Sequence, residues 1–136
     1  MAASVLADAG FLVALLYEAD RHHDWAVATA ERFPPPWVTC DAAIAEAFYL
    51  LGRRGSPALV TVLRRRAVLP SFHLEEDIEP VLRLMQKYAD VPMNLADGCL
   101  VRMTERLPDP VLLTTDSDFQ IYRRHSRQAI PYEFPD

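Results

Sequence analysis

Glycine is scarce. The 136 residues hold four, too few and too scattered to build a glycine-rich phosphate loop, which excludes nucleotide cradling of that kind. Lysine is scarcer: Lys87 stands alone beside thirteen arginines, so chemistry that needs an active-site amine has one candidate. The only cysteines, Cys40 and Cys99, lack metal-ligand spacing and have apolar neighbours, which reads as two reduced, buried thiols rather than a bridge. No apolar run is long enough to span a bilayer. The run from Ala9 to Tyr17 follows Asp8 directly and reads as neither signal peptide nor anchor, so the expectation is a cytoplasmic protein without membrane contact. Positive charge is in deficit, with 14 Lys and Arg against 19 Asp and Glu, a formal net charge of -5. That excludes a bulk polycationic nucleic-acid binder and leaves room for a local basic face.

What is present is a globular composition, 51% hydrophobic and 24% charged, at a length that fits one domain over residues 1–136. Ser4 to Ala7 reads as a buried strand closed by Asp8-Ala9-Gly10, followed by a short helix from Phe11 to Tyr17. An amphipathic helix is expected from Asp20 to Phe33, and a second strand from Trp37 to Cys40. Asp41 is placed to cap the next helix, which Gly52 or Gly55 should end. Ser56-Pro57 should open another, running to about Arg66. A third strand spans Ala67 to Phe72, pushed towards an edge by Pro70. The helix from Glu75 to Ala89 should turn Ile78, Val81, Leu82 and Met85 inward. Asn94 should cap a helix whose stripe is Leu95, Cys99, Met103 and Leu107. Val111 to Thr115 is the clearest strand, a short helix starts near Ser117, and a weak strand lies near Ala129-Ile130. Strands alternating with helices imply a parallel sheet covered on both faces, with ligand sites beyond the carboxyl ends of its strands.

Acids stand at those ends. Asp8 closes the first strand and Asp116 the strand from Val111; as the most apolar strands, these two should be central and bring both acids to one rim. Glu46 interrupts a run of uncharged residues, Ala42 to Phe48, and Asp97 sits between Leu95-Ala96 and Gly98-Cys99-Leu100. Taken singly, Asp8, Asp97 and Asp116 read as helix caps or dipole partners. As a set they need more, because no Lys and few Arg lie nearby to neutralise four carboxylates. Crowded anions raise one another's pKa or recruit a cation, and hard oxygen donors match Mg²⁺ or Mn²⁺. Phosphodiester hydrolysis is the chemistry most often run at such a site. Other acid-bearing α/β sheets fit poorly. A haloacid-dehalogenase phosphatase would want a second aspartate where Gly10 stands, and a response-regulator receiver would want a lysine after a late strand.

Ser4-Val5-Leu6-Ala7-Asp8-Ala9-Gly10, Thr39 to Leu51 around Glu46, Leu95-Ala96-Asp97-Gly98-Cys99-Leu100 and Thr114-Thr115-Asp116-Ser117-Asp118-Phe119 follow in order along almost the whole chain. Together they resemble a PIN domain of the VapC type, the toxin half of type II toxin–antitoxin pairs. Gly98 stands where that family commonly has alanine, and Cys40 where it varies. The resemblance implies a three-layer α/β/α PIN-like fold with a central parallel sheet of four to five short strands. It implies a Mg²⁺- or Mn²⁺-dependent endoribonuclease acting on RNA. Asp8, Asp97 and Asp116 would bind the ion, and Glu46 would ligate it or orient the attacking water. It further implies a homodimer and inhibition by a small VapB-like antitoxin whose tail enters the acidic groove.

Weaker signals carry two readings each. Asp118 is an outer member of the acid cluster or a cap of the short helix. His22-His23 touch RNA or are exposed histidines at a helix start. Arg53-Arg54, Arg64-Arg65-Arg66 and Arg123-Arg124 are solvated helix ends or phosphate grips; the two readings balance for Arg123-Arg124, which follow the Asp116 strand end, and the helix-end reading leads for the other two. The rival to a toxin is a PIN-like domain of housekeeping RNA processing, or a non-catalytic RNA- or protein-binding module.

Overall fold

A computed structural model describes residues 3–136. Strands β1 (Ser4–Ala7), β2 (Trp37–Thr39), β3 (Val68–Pro70) and β4 (Pro110–Leu113) alternate with helices α1 (Ala9–Leu16), α2 (His23–Arg32), α3 (Asp41–Arg64), α4 (Ile78–Lys87) and α5 (Leu95–Arg106). Single 3₁₀ turns fall at Leu74–Glu76 and Ser117–Gln120. Three two-residue strands follow: β5 (Arg123–Arg124), β6 (Gln128–Ala129) and β7 (Tyr132–Glu133).

The sheet runs β3-β2-β1-β4-β7, and every neighbouring pair is parallel. The two most apolar strands, β1 and β4, sit side by side, with Ser4 to Ala7 level with Pro110 to Leu113. Strand alternation sends successive residues to opposite faces. Leu6 and Leu112 therefore enter a core with Val81 of α4 and Cys99, Leu100 and Met103 of α5. Ala7 and Leu113 enter a second core with Phe11 and Leu12 of α1, Ala26 of α2 and Ala47 and Leu59 of α3. The result is three layers, α/β/α. Leu6, Leu112 and Leu113 are fully buried; truncating one to alanine costs about 2–5 kcal/mol. Among the described residues no helix is long and apolar enough to cross a membrane.

Several boundaries and faces differ from the sequence reading. α1 begins at Ala9 rather than Phe11, because Asp8 caps it. Asp41 is not a cap: Cys40 holds that position, without a side-chain hydrogen bond, and Asp41 is the first helical residue. The helix from Asp41 does break at Gly52, whose non-helical φ of 65° suits glycine, and a second helical segment of α3 follows directly and runs to Arg64. That second segment starts just after Gly52 rather than at Ser56-Pro57, so Pro57 lies inside it, and Ser56 donates its hydroxyl to the Gly52 carbonyl across the break at 2.5 Å. In α4, Val81 is buried, but Ile78 and Leu82 are each 43% exposed. The close approach of α5 sets that rotation: a Cβ on Gly98 would lie 3.2 Å from Met85 and 3.3 Å from Val81. Leu95 is also exposed, so the α5 stripe rests on Cys99, Met103 and the partly buried Leu107. Pro70 does mark an edge strand, and Cys40 and Cys99 are free, buried thiols.

Candidate active site

Parallel pairing of β1 with β4 delivers two acids to one rim. The Asp8 amide donates to the Leu113 carbonyl at 3.0 Å, the last rung between the strands. Its carboxylate then turns into the first turn of α1. Oδ1 accepts from the Ala9 amide at 2.7 Å, and Oδ2 accepts from the Thr114 hydroxyl at 2.7 Å. The same Thr114 oxygen accepts the Asp116 amide at 2.9 Å, so one hydroxyl ties both strand ends together. Asp116 caps the following 3₁₀ turn, its Oδ1 accepting from the Asp118 amide at 2.9 Å. Gly10 permits the close approach of α1 to this loop, since a Cβ there would stand 2.0 Å from Thr115 Oγ1.

Asp97 comes from the other layer. Asn94 and Asp97 form a capping box at the start of α5: Asn94 Oδ1 accepts the Asp97 amide at 2.8 Å, and Asp97 Oδ2 accepts the Asn94 amide at 3.1 Å. The buried Tyr122 hydroxyl donates to the same Oδ2 at 3.3 Å. Glu46 projects from α3, next to buried Ala47. Among the described residues it has no hydrogen bond or ion pair.

These four carboxylates line one cavity of about 160 Å³ together with Asn94 and Thr115, and no Arg, Lys or His lines it. Larger hollows exist, but none of them gathers these four acids; this one has room for an ion and the oxygens of a phosphate rather than a whole nucleotide. Burial, first, and then the charges of Asp97 and Glu46 push the Asp8 carboxyl up to about 7, against the pull of its Thr114 and Ala9 hydrogen bonds. Burial, with Asp116 and Glu46, pushes Asp97 up to about 6. Crowded carboxylates raise one another in this way and favour a cation as partner, and the donors here are all hard oxygens. In that respect the residues fit Mg²⁺ or Mn²⁺. As the side chains stand, no three His, Cys, Asp or Glu among the described residues are gathered tightly enough to enclose an ion. Each carboxylate oxygen that accepts one hydrogen bond keeps a second lone pair for a further partner.

The sequence reading put Asp8, Glu46, Asp97 and Asp116 forward, and the fold brings all four to this cavity. Asp118 does not line it; its amide serves Asp116, while its carboxyl is raised by burial and by that neighbour. The guanidiniums of Arg123 and Arg124 are occupied, chiefly by backbone. Arg123 donates to the carbonyls of Gln120, Ile121 and Tyr122, and Arg124 to that of Thr104 and to Gln128 Oε1, and neither lines the acid cavity. His22 precedes α2 and His23 begins it, both half-buried, with His23 Nδ1 2.8 Å from the Ala14 carbonyl. Two contributors escaped notice, Thr114 and Tyr122. A hydroxyl directly after an apolar strand and before an acid was the available signal for the first. Nothing local marked the second.

A family model described as PIN domain matches residues 5–124. No curated protein matches the chain significantly.

Proposed function

The chain belongs to the PIN domain family, whose members are generally metal-dependent nucleases, and from that premise we propose an endoribonuclease that hydrolyses RNA phosphodiesters with Mg²⁺ or Mn²⁺, as the toxin of a type II toxin–antitoxin pair. One observation carries the reading: four carboxylates, from the ends of β1 and β4 and from α3 and α5, share a cavity that no cationic side chain lines. A bound divalent ion supplies a Lewis acid for the phosphate and a lowered pKa for water. Asp8, Asp97 and Asp116 are the residues that would hold it. Glu46, free of other partners, either joins them or accepts the proton of the attacking water. Thr114 and Asn94 hold the carboxylates of Asp8 and Asp97 at the rim of the cavity through hydrogen bonds. Water attack on phosphorus leaves a 3′-hydroxyl and a 5′-phosphate.

The toxin reading brings a homodimer and a small VapB-like antitoxin. An acidic cleft is silenced most directly by an Arg or Lys of that partner, which pairs with the carboxylates in place of the ion. The test is purified protein on total RNA with Mn²⁺ or with chelator, followed by mapping of the ends. Metal-dependent cuts with 5′-phosphates are expected, as is growth arrest on expression that the adjacent small gene relieves. Equal cleavage in excess chelator overturns the mechanism, and normal growth with abundant protein overturns the toxin role.

A further inference from the structure

A chain of net charge -5 whose active cavity holds only acids must still attract a polyanion. Something beside the cavity has to supply the positive charge. Arg102 and Arg106 are spent on buried Asp77, and Arg32 on Glu133. Arg123 and Arg124 are spent on backbone carbonyls. Arg53, Arg54, Arg64, Arg65, Arg66, Arg83 and Arg127 are all exposed without an ion pair or side-chain hydrogen bond among the described residues, and Arg53 and Arg54 stand apart because they line a hollow that shares a wall residue with the acid cavity.

Their position follows from α3. Glu46 to Gly52 spans about 9 Å of helix, and the break at Gly52 comes immediately before the two arginines. They line a groove of about 640 Å³ whose remaining walls include Leu16, Tyr17 and Leu51. Leu50 lines both this groove and the acid cavity, so the two hollows adjoin at that side chain. Tyr17 is 52% exposed and Leu50 55%, which leaves flat apolar surface open next to two free guanidiniums. Flat surface for a base beside cations for phosphates is the recurring arrangement for single-stranded nucleic acid.

Resting on the ribonuclease reading above, we propose that this groove is the subsite for the single-stranded RNA segment flanking the scissile bond. Arg53 and Arg54 hold its phosphates and Tyr17 stacks on a base. The arginines are positioning residues, since they lie outside the acid cavity. The groove draws the strand in and Leu50 marks its passage to the carboxylates.

The experiment compares wild type with R53A/R54A, R53K/R54K, Y17A and Y17F. Binding of a dye-labelled single-stranded RNA is followed by anisotropy in EDTA across a salt series. Cleavage of the same RNA and of bis(p-nitrophenyl) phosphate is followed with Mn²⁺. R53A/R54A should weaken RNA binding and raise its KM roughly tenfold or more, with kcat and turnover of the small diester unchanged. Its plot of log affinity against log salt should be shallower by about 1.4, two phosphates on a single strand, and the lysine pair should restore it. Y17A should cost roughly fivefold or more, and Y17F should recover it. Unchanged RNA affinity and salt slope in R53A/R54A overturn the subsite. So does a shift from dimer to monomer on gel filtration with RNA affinity intact, which assigns the groove to a second copy. Arginine-dependent RNA binding without Mn²⁺-dependent cleavage of either the RNA or the small diester overturns the nuclease reading and leaves the subsite standing.

Discussion

Replacing Asp8 by asparagine separates a catalytic carboxylate from an architectural one, because the two roles give opposite signs. Asp8 is 5% exposed and its carboxyl is raised to about 7 from 3.8. Over about three pH units, at 1.36 kcal/mol each, ionising it in the fold costs about 4 kcal/mol. The native state holds its proton more tightly than the unfolded chain does. Stability is therefore full below pH 4 and falls as pH rises towards 7. Asparagine removes this cost and keeps the shape, with Oδ1 still able to accept from Ala9. It loses a charge-assisted bond from Thr114, whose oxygen already accepts the Asp116 amide; that loss is about 1.5–3 kcal/mol. The net expectation in EDTA at pH 8 is a gain of about 1–3 kcal/mol, or roughly 3–10 °C in Tm for a chain of this size. At pH 4.5, where native Asp8 is protonated, the gain should vanish or reverse. Thermal melts at the two pH values, paired with an RNA cleavage assay, decide the matter. An Asp8→Asn protein that melts below wild type by the same margin at both pH values, and still cuts RNA, would refute the reasoning and leave Asp8 a helix cap.

Mg²⁺ or Mn²⁺ should raise the Tm of wild type more than that of Asp8→Asn. Calorimetric affinity for the ion should fall as pH drops through 7 and 6, because Asp8 and Asp97 take up protons there. Asp77 behaves in the opposite sense. It is buried between Arg102 and Arg106, whose hydrogen bonds hold its carboxyl below the usual range against the cost of burial. Its contribution is present above the ordinary carboxylate pKa and lost in stronger acid, and urea unfolding at pH 7 should show Asp77→Asn destabilised by about 2–4 kcal/mol. Gly10→Ala should lower stability by about 1–2 kcal/mol despite alanine's helix propensity, since its methyl meets Thr115. The same change should reduce cleavage more than the melt suggests, because it forces the Asp8 and Asp116 loops apart.

The strands that carry the site were legible because their residues are dictated locally. Ser4 to Ala7 and Val111 to Leu113 are short apolar runs with an acid shortly after, and a doubly covered parallel sheet demands that pattern. Asn94 advertised its cap three residues before Asp97. Features set by distant partners were not legible. β7 is two residues long and exists because β4 offers a free edge to Tyr132 and Glu133. The hairpin of β5 and β6 turns through His125 and Ser126 at positive φ, without the glycine or asparagine that usually signals such a turn. Ile78 and Leu82 shared a period with Val81, but the periodicity of one helix does not say which side its neighbour will press. The surroundings of Arg123 and Arg124 were hidden for a similar reason: sequence proximity to Asp116 says nothing about which carbonyls they meet when the chain folds back.

The capping box of α5 leaves a mark far easier to watch than any side chain. Asp97 Oδ2 holds the Asn94 amide, and Asn94 in turn holds the amide of Asp97. A carboxylate drawn towards the cavity loosens its hold on the first of these, and the opening turn of the helix frays by one rung. The exchange rates of two backbone protons thus register events among the four acids. Hydrogen exchange at residues 94 and 97 becomes a built-in gauge of occupancy, read without a label and before any bond is cut.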